Sequence, residues 1–148
     1  MSKYFLYLFL FTSILSCHSN KHTDKDITGE PSTYEYINDS IQQTLHIEPV
    51  NADTIRFTYS LSRYRGDTGL VIGGIAKGNH MADPETDEDE QGNAYPAMQY
   101  TYQDGNCLLA IRQRTDTNTM ARVIAVDCGQ KYPAHDLNSI SVLRKKKE

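Results

Sequence analysis

Between Thr54 and Ser62 the chain alternates without a break. Ile55, Phe57, Tyr59 and Leu61 are apolar, while Thr54, Arg56, Thr58, Ser60 and Ser62 are polar. Side chains on a strand point alternately to opposite sides, so this period of two describes a strand with one buried and one wet face. A helix would scatter the same residues around its circumference. A half-buried strand needs neighbours, and the rest of the chain supplies them.

Thr44 to Val50 alternates in the same way and predicts a strand over about 43–50, with Asn51-Ala52-Asp53 as the turn into the next. Just before it, Ile37, Ile41 and Leu45 recur every four residues, a helical spacing, so residues 34–43 stay ambiguous. Arg65-Gly66-Asp67 has turn composition. Leu70 to Ala76 predicts a strand apolar on both sides, whose Gly73-Gly74 pair implies a bulge, a bend or a close backbone approach. Residues 79–94, with Asp83, Glu85, Asp87, Glu88, Asp89 and Glu90, are expected to form a long acidic loop. Met98, Tyr100 and Tyr102 alternate up to Asp104-Gly105, a hairpin signal, and Cys107, Leu109 and Ile111 alternate after it. A further turn at Asp116 to Thr119 leads into a strand from Ala121 to Cys128, and Ile140, Val142 and Leu143 suggest a short closing strand.

Pairing Cys107 with Cys128 sets a register in which Leu109 faces Val126 and Ile111 faces Ile124, with Asp116 opposite Thr119. That register predicts a disulfide across adjacent antiparallel strands. The 148 residues suit one domain with a modest core. The predicted fold is all-β: a small antiparallel meander or barrel-like sheet with one disulfide.

The first residues set the location. Lys3 precedes an apolar run from Tyr4 to Leu15 that ends at Ile14-Leu15-Ser16-Cys17. As a helix of ~1.5 Å rise per residue this run falls well short of a hydrocarbon core of roughly 30 Å, so it reads as a signal peptide rather than a permanent span. Its end resembles the lipobox of bacterial lipoproteins, where a small residue precedes the modified cysteine. The resemblance covers residues 1–17 and implies cleavage after residue 16, acylation of Cys17, and membrane lipid as a partner. Leu15 is a less common residue at its position in that motif. Residues 17–33 are then a lipid-anchored flexible tether of polar composition, with a reach of roughly 20–24 Å, and residues 34–148 are the domain. The location implied is the bacterial cell envelope, with the outer membrane as the expected anchor. An oxidising envelope permits the Cys107–Cys128 bridge.

Several motifs bear on chemistry. Asp87 to Gly92 resembles the opening of a calcium loop, with Asp87 and Asp89 as the candidate ligands. Met98 stands where that family's closing carboxylate belongs, so a solvated acidic loop is the expectation. Arg65-Gly66-Asp67 matches the integrin-binding tripeptide but is read as turn chemistry. Ser40 in Asp39-Ser40-Ile41 and Thr54 in Asp53-Thr54-Ile55 resemble O-glycosylation sites of exported bacterial proteins. The histidines, at 18, 22, 46, 80 and 135, make no ligand spacing, and no nucleophile elbow, phosphate loop or dinucleotide fingerprint is present. No cofactor, metal or catalytic residue is predicted. The net charge of −4 gives no footprint for nucleic acid. The basic end, Arg144 to Lys147, reads as a solvated tail.

In size, lipobox, strand content and the Cys107/Cys128 pair the chain is similar to small periplasmic lysozyme-inhibitor lipoproteins. The inhibitors of C-type lysozyme carry a Ser-Gly-x-x-Tyr loop, and this sequence has no Ser-Gly pair, so no inhibitory residue carries over. The expected function is a membrane-anchored binding or inhibitor module for a protein or glycan ligand in the envelope. The alternatives are a small envelope hydrolase using loop carboxylates with His80 or His135, and a structural envelope lipoprotein.

Overall fold

The computed structural model describes residues 29–63, 69–78, 85–129 and 142–147. They form an all-β, antiparallel barrel. The strands are β1 (Ser32–Ile37), β2 (Ile41–Asn51), β3 (Thr54–Arg63), β4 (Leu70–Gly78), β5 (Glu85–Glu88), β6 (Ala94–Asp104), β7 (Cys107–Arg114), β8 (Met120–Val126) and β9 (Leu143–Lys145). Around the wall the order is β4-β3-β2-β1-β9-β8-β7-β6, and β4 meets β6 again through Lys77↔Thr101 and Gly78↔Tyr100. This seam closes eight strands into a barrel, with β5 lying along β6 beyond it.

The β3 alternation behaves as its sequence requires. Ile55, Phe57, Tyr59 and Leu61 are buried in the interior, and Arg56 and Thr58 are exposed. They meet Leu45 and Ile47 from β2, Ile72 and Ala76 from β4, and Leu109, Ile111, Val123 and Ala125 from the opposite wall. The ambiguity at 34–43 resolves to strand, turn, strand. Asn38 Oδ1 accepts from the backbone N–H of Ser40 at 2.9 Å and of Ile41 at 2.8 Å, an Asx turn that reverses the chain before a helix can start. Strand β1 begins at Ser32, two residues inside the stretch read as tether.

Gly74 shows why β4 carries a glycine pair. A Cβ there would stand 2.9 Å from Cδ2 of Tyr102. The Tyr102 ring reaches over Gly74 and meets Phe57, the cross-strand partner of Gly74, edge-on at 5.2 Å. The glycine makes room for an aromatic pair at the closing seam. Strand β4 is apolar on both sides as its sequence requires, and its outward Val71 and Ile75 are left exposed.

The disulfide Cys107–Cys128 is present, with Cα atoms 4.1 Å apart. The register read from it is not. The β7–β8 ladder pairs Leu108 with Val126, Leu109 with Ala125 and Ile111 with Val123, one residue from the predicted alignment. Leu109 therefore does not face Val126, and Ile111 does not face Ile124. Ala121, Val123 and Ala125 turn inward, and Val126 is exposed. The odd residue is absorbed after the strand, at Asp127, whose φ of 55° lies in the left-handed region. That kink returns Cys128 to the buried side.

Three further expectations are corrected. Residues 85–88 are strand β5 rather than loop, because their backbone pairs with Ala94 to Ala97. The basic end is not a solvated tail: Arg144 and Lys145 lie in β9, which bridges β8 and β1. Lys146 also pairs with Glu35 at 2.9 Å. Strand β8 runs from Met120 to Val126 rather than from Ala121 to Cys128.

The bridge spans 21 residues, so the chain-entropy model gives roughly 3 kcal/mol of stabilisation. Reduction should lower the melting temperature clearly, as read by circular dichroism with and without reductant. Gly74→Ala should destabilise by about 1–3 kcal/mol, because the half-buried Tyr102 ring must shift and give up part of its contact with Phe57. Urea titration checks this, and Tyr102→Leu in the Gly74→Ala background should recover part of the loss.

Candidate functional site

An eight-stranded barrel has an interior that side chains can just fill, or that can hold one small ligand. This barrel is filled at one end and hollow at the other. At the end carrying the Cys107–Cys128 bridge, Leu61, Cys107 and Cys128 are buried. The other end, where β1 starts and β2 finishes, is open among the described residues around a cavity of about 470 Å³. Strands β2 and β6 supply Ile47, Pro49, Met98 and Tyr100 to its lining. The arc of wall between them, formed by β1, β9, β8 and β7 with the β7–β8 turn, supplies Ser32, Lys145, Gln113 and Asn118. The mouth is thus apolar on two flanking strands and polar between them.

A hydrogen-bonded group stands in this polar arc. Tyr34 is fully buried, and its hydroxyl donates to Asn118 Oδ1. Gln113 Nε2 donates to the Tyr34 hydroxyl at 2.7 Å and to Asn118 Oδ1 at 2.6 Å. Local structure places each member. Gln113 faces inward near the end of β7, and Asn118 sits in the following turn at φ 51°, a conformation asparagine tolerates better than most residues. Burial raises the Tyr34 phenol above its ordinary value, opposed by the hydrogen bond from Gln113. Tyr100 is also raised, first by burial and then by the Asp53 carboxylate and Tyr34. Both phenols stay neutral at physiological pH, so they add hydroxyls to a lining whose charges come from Glu30, Arg114 and Lys145.

A second polar cluster lies on the outside. The β5–β6 hairpin bends over the outer wall of β7, β8 and β9. Asp87, 5% exposed, accepts from Arg122 at 2.9 Å, and Arg122 also donates to the Glu88 carbonyl at 2.7 Å. Arg144 reaches Glu90 at 3.2 Å. Arg114 lies over the Tyr95 ring, 5.0 Å from its centroid, and pairs with Asp116. That pairing holds the Asp116 carboxyl down at about 2. Arg112 and Arg122 are direct cross-strand partners, an arrangement of like charges that needs a nearby anion. Asp87 supplies one. The acidic hairpin is therefore a latch on an arginine row.

This accounts for the two calcium candidates. Asp87 is committed to Arg122 and to the Glu88 N–H. Asp89 caps its own turn, accepting from the N–H groups of Gln91 and Asn93 and from the Asn93 amide, which lowers its carboxyl below the ordinary value. The two are not brought to a common point, and no group of three acidic, histidine or cysteine side chains that could hold a metal occurs among the described residues.

Ser40 is exposed in the β1–β2 turn, and Thr54 is the first residue of β3, half-buried and paired with Lys77. His46, the one histidine among the described residues, bonds to Thr33 and Glu48 on the outer surface, at 3.0 and 3.4 Å. Cys17, His18, His22, the Arg65-Gly66-Asp67 tripeptide, His80, Asp83, His135 and Ile140 lie outside the described residues. Of the mouth's polar residues the sequence marked Lys145, in the basic end, and Asn51 and Asn118, in predicted turns; their meeting was not foreseen, because they come from separate elements and share no motif.

No protein-family model, curated protein or solved structure matches this chain.

If the hairpin is a latch, Asp87→Ala should destabilise by about 1–3 kcal/mol, since Arg122 is left without its buried acceptor beside Arg112. Chemical denaturation measures the loss. Amide exchange should rise in residues 85–97 before it rises in β3.

Proposed function

We propose that this chain is a membrane-anchored binding module of the bacterial envelope, which takes a small ligand in the open mouth of its barrel. The observation that carries the reading is the mouth itself. Its volume of about 470 Å³ falls in the usual range for small-molecule sites, roughly 300–1,000 Å³. Its lining sets the apolar Ile47, Pro49, Met98 and Tyr100 against a larger share of polar and charged groups than small-molecule sites usually carry. The anchor is Cys17, acylated after removal of residues 1–16, with the following polar residues as tether. The buried disulfide accords with an oxidising compartment.

Two experiments test the reading. Expressed in a bacterium with the leader intact and fed labelled palmitate, the chain should take up label and fractionate with membranes. Cys17→Ser should do neither, and a labelled Cys17→Ser protein would remove the anchor from the account. For the mouth, native mass spectrometry of the chain recovered from envelope extract should detect a retained small molecule. Met98→Trp fills the cavity and should lose that molecule while keeping a cooperative melt. Equal retention by Met98→Trp would place the ligand elsewhere.

A further inference from the structure

Hydrogen-bond accounting in the mouth narrows the ligand. The Tyr34 proton goes to Asn118 Oδ1, and both Gln113 amide protons are committed, to Tyr34 and to Asn118. Two amide atoms remain without a partner among the described residues: Gln113 Oε1, an acceptor, and Asn118 Nδ2, a donor. Both belong to residues that line the cavity. An acceptor and a donor left over in one lining match a ligand that both gives and takes hydrogen bonds, as hydroxyls do. A purely apolar ligand would bury them unsatisfied. On the flanking strands, the Tyr100 ring, Pro49 and Met98 form an apolar wall suited to the C–H face of a ring.

Charge supplies the last constraint. Of the cations near the mouth, Arg114 is paired with Asp116, Arg144 with Glu90 and Lys146 with Glu35. Lys145, which lines the cavity, has no carboxylate partner among the described residues. Glu30 stands in the same lining and is an acceptor for further hydroxyls.

We infer that the mouth binds a small saccharide bearing a carboxylate, whose ring lies against Tyr100 and Pro49, whose hydroxyls meet Gln113 and Asn118, and whose carboxylate meets Lys145. This rests on the mouth being the binding site.

The test uses the full chain in detergent micelles, followed by nuclear magnetic resonance. The probes are N-acetylglucosamine, N-acetylmuramic acid and octanoate. The two sugars share a ring and differ by a lactyl carboxylate, and octanoate carries a carboxylate without a sugar. Both sugars should shift the side-chain amide signals of Gln113 and Asn118. N-acetylmuramic acid should bind about three- to five-fold more tightly, as one partly exposed ion pair allows. Lys145→Gln should abolish that difference and leave N-acetylglucosamine unchanged. Octanoate shifting the mouth while neither sugar does would overturn the saccharide and leave the mouth as a binding site. No probe shifting the mouth would overturn both. A preference for N-acetylmuramic acid that survives Lys145→Gln would overturn the placement of the carboxylate.

Discussion

Closure of the sheet rests on a short seam. Lys77↔Thr101 and Gly78↔Tyr100 are the only residue pairs joining β4 to β6 among the described residues, and without them the sheet would stay open. The seam is braced in two ways. Along the sheet, the Gly78 N–H donates to the Asp53 carbonyl at 2.6 Å, beside the Thr54↔Lys77 pair of β3 and β4. Inside, Tyr102 spans from β6 to Gly74 on β4 and meets Phe57 on β3. The glycine, the aromatic pair and the backbone bonds act at one place, so hydrophobic burial and sheet closure are the same event there.

From closure follows the difference between the two ends. At the disulfide end, large side chains and the Cys107–Cys128 bridge occupy the interior. At the other, the polar group of Tyr34, Gln113 and Asn118 stands where a further apolar layer would otherwise continue. Buried polar groups are tolerated only when their bonds are met, and this group meets most of its own. The surplus acceptor and donor are the ground on which a hydroxyl-bearing ligand is proposed for the mouth. The outer latch from Asp87 to Arg122 plays a different part. It pins the hairpin that extends β6 and offsets the repulsion between Arg112 and Arg122.

How far the sequence could be read varied with the segment, for physical reasons. In β3 the two faces differ sharply, so alternation fixed both the strand and its phase. In β8, Val123-Ile124-Ala125-Val126 is apolar on both sides, and the pattern has no phase of its own. The cysteine pair was then the only guide, and the left-handed residue at Asp127 put it one position out of register with the ladder. The bridge was legible and the ladder was not. Strand β5 was hidden because Glu85-Thr86-Asp87-Glu88 has no apolar residue to mark it, and Arg122, which makes it intelligible, lies 35 positions from Asp87. The mouth was illegible for a related reason: its residues come from five strands and a turn.

The central claim is that the sheet closes and so creates the mouth. Nuclear Overhauser contacts across the seam, with hydrogen exchange of the same amides, test it most directly. The account predicts cross-strand contacts between Lys77 and Thr101 and between Gly78 and Tyr100. It also predicts that the Gly78 amide is protected from exchange to a degree comparable with the amides of β3. Missing contacts together with an unprotected Gly78 would mean an open sheet, in which Tyr100 and Ile47 could not line a common cavity.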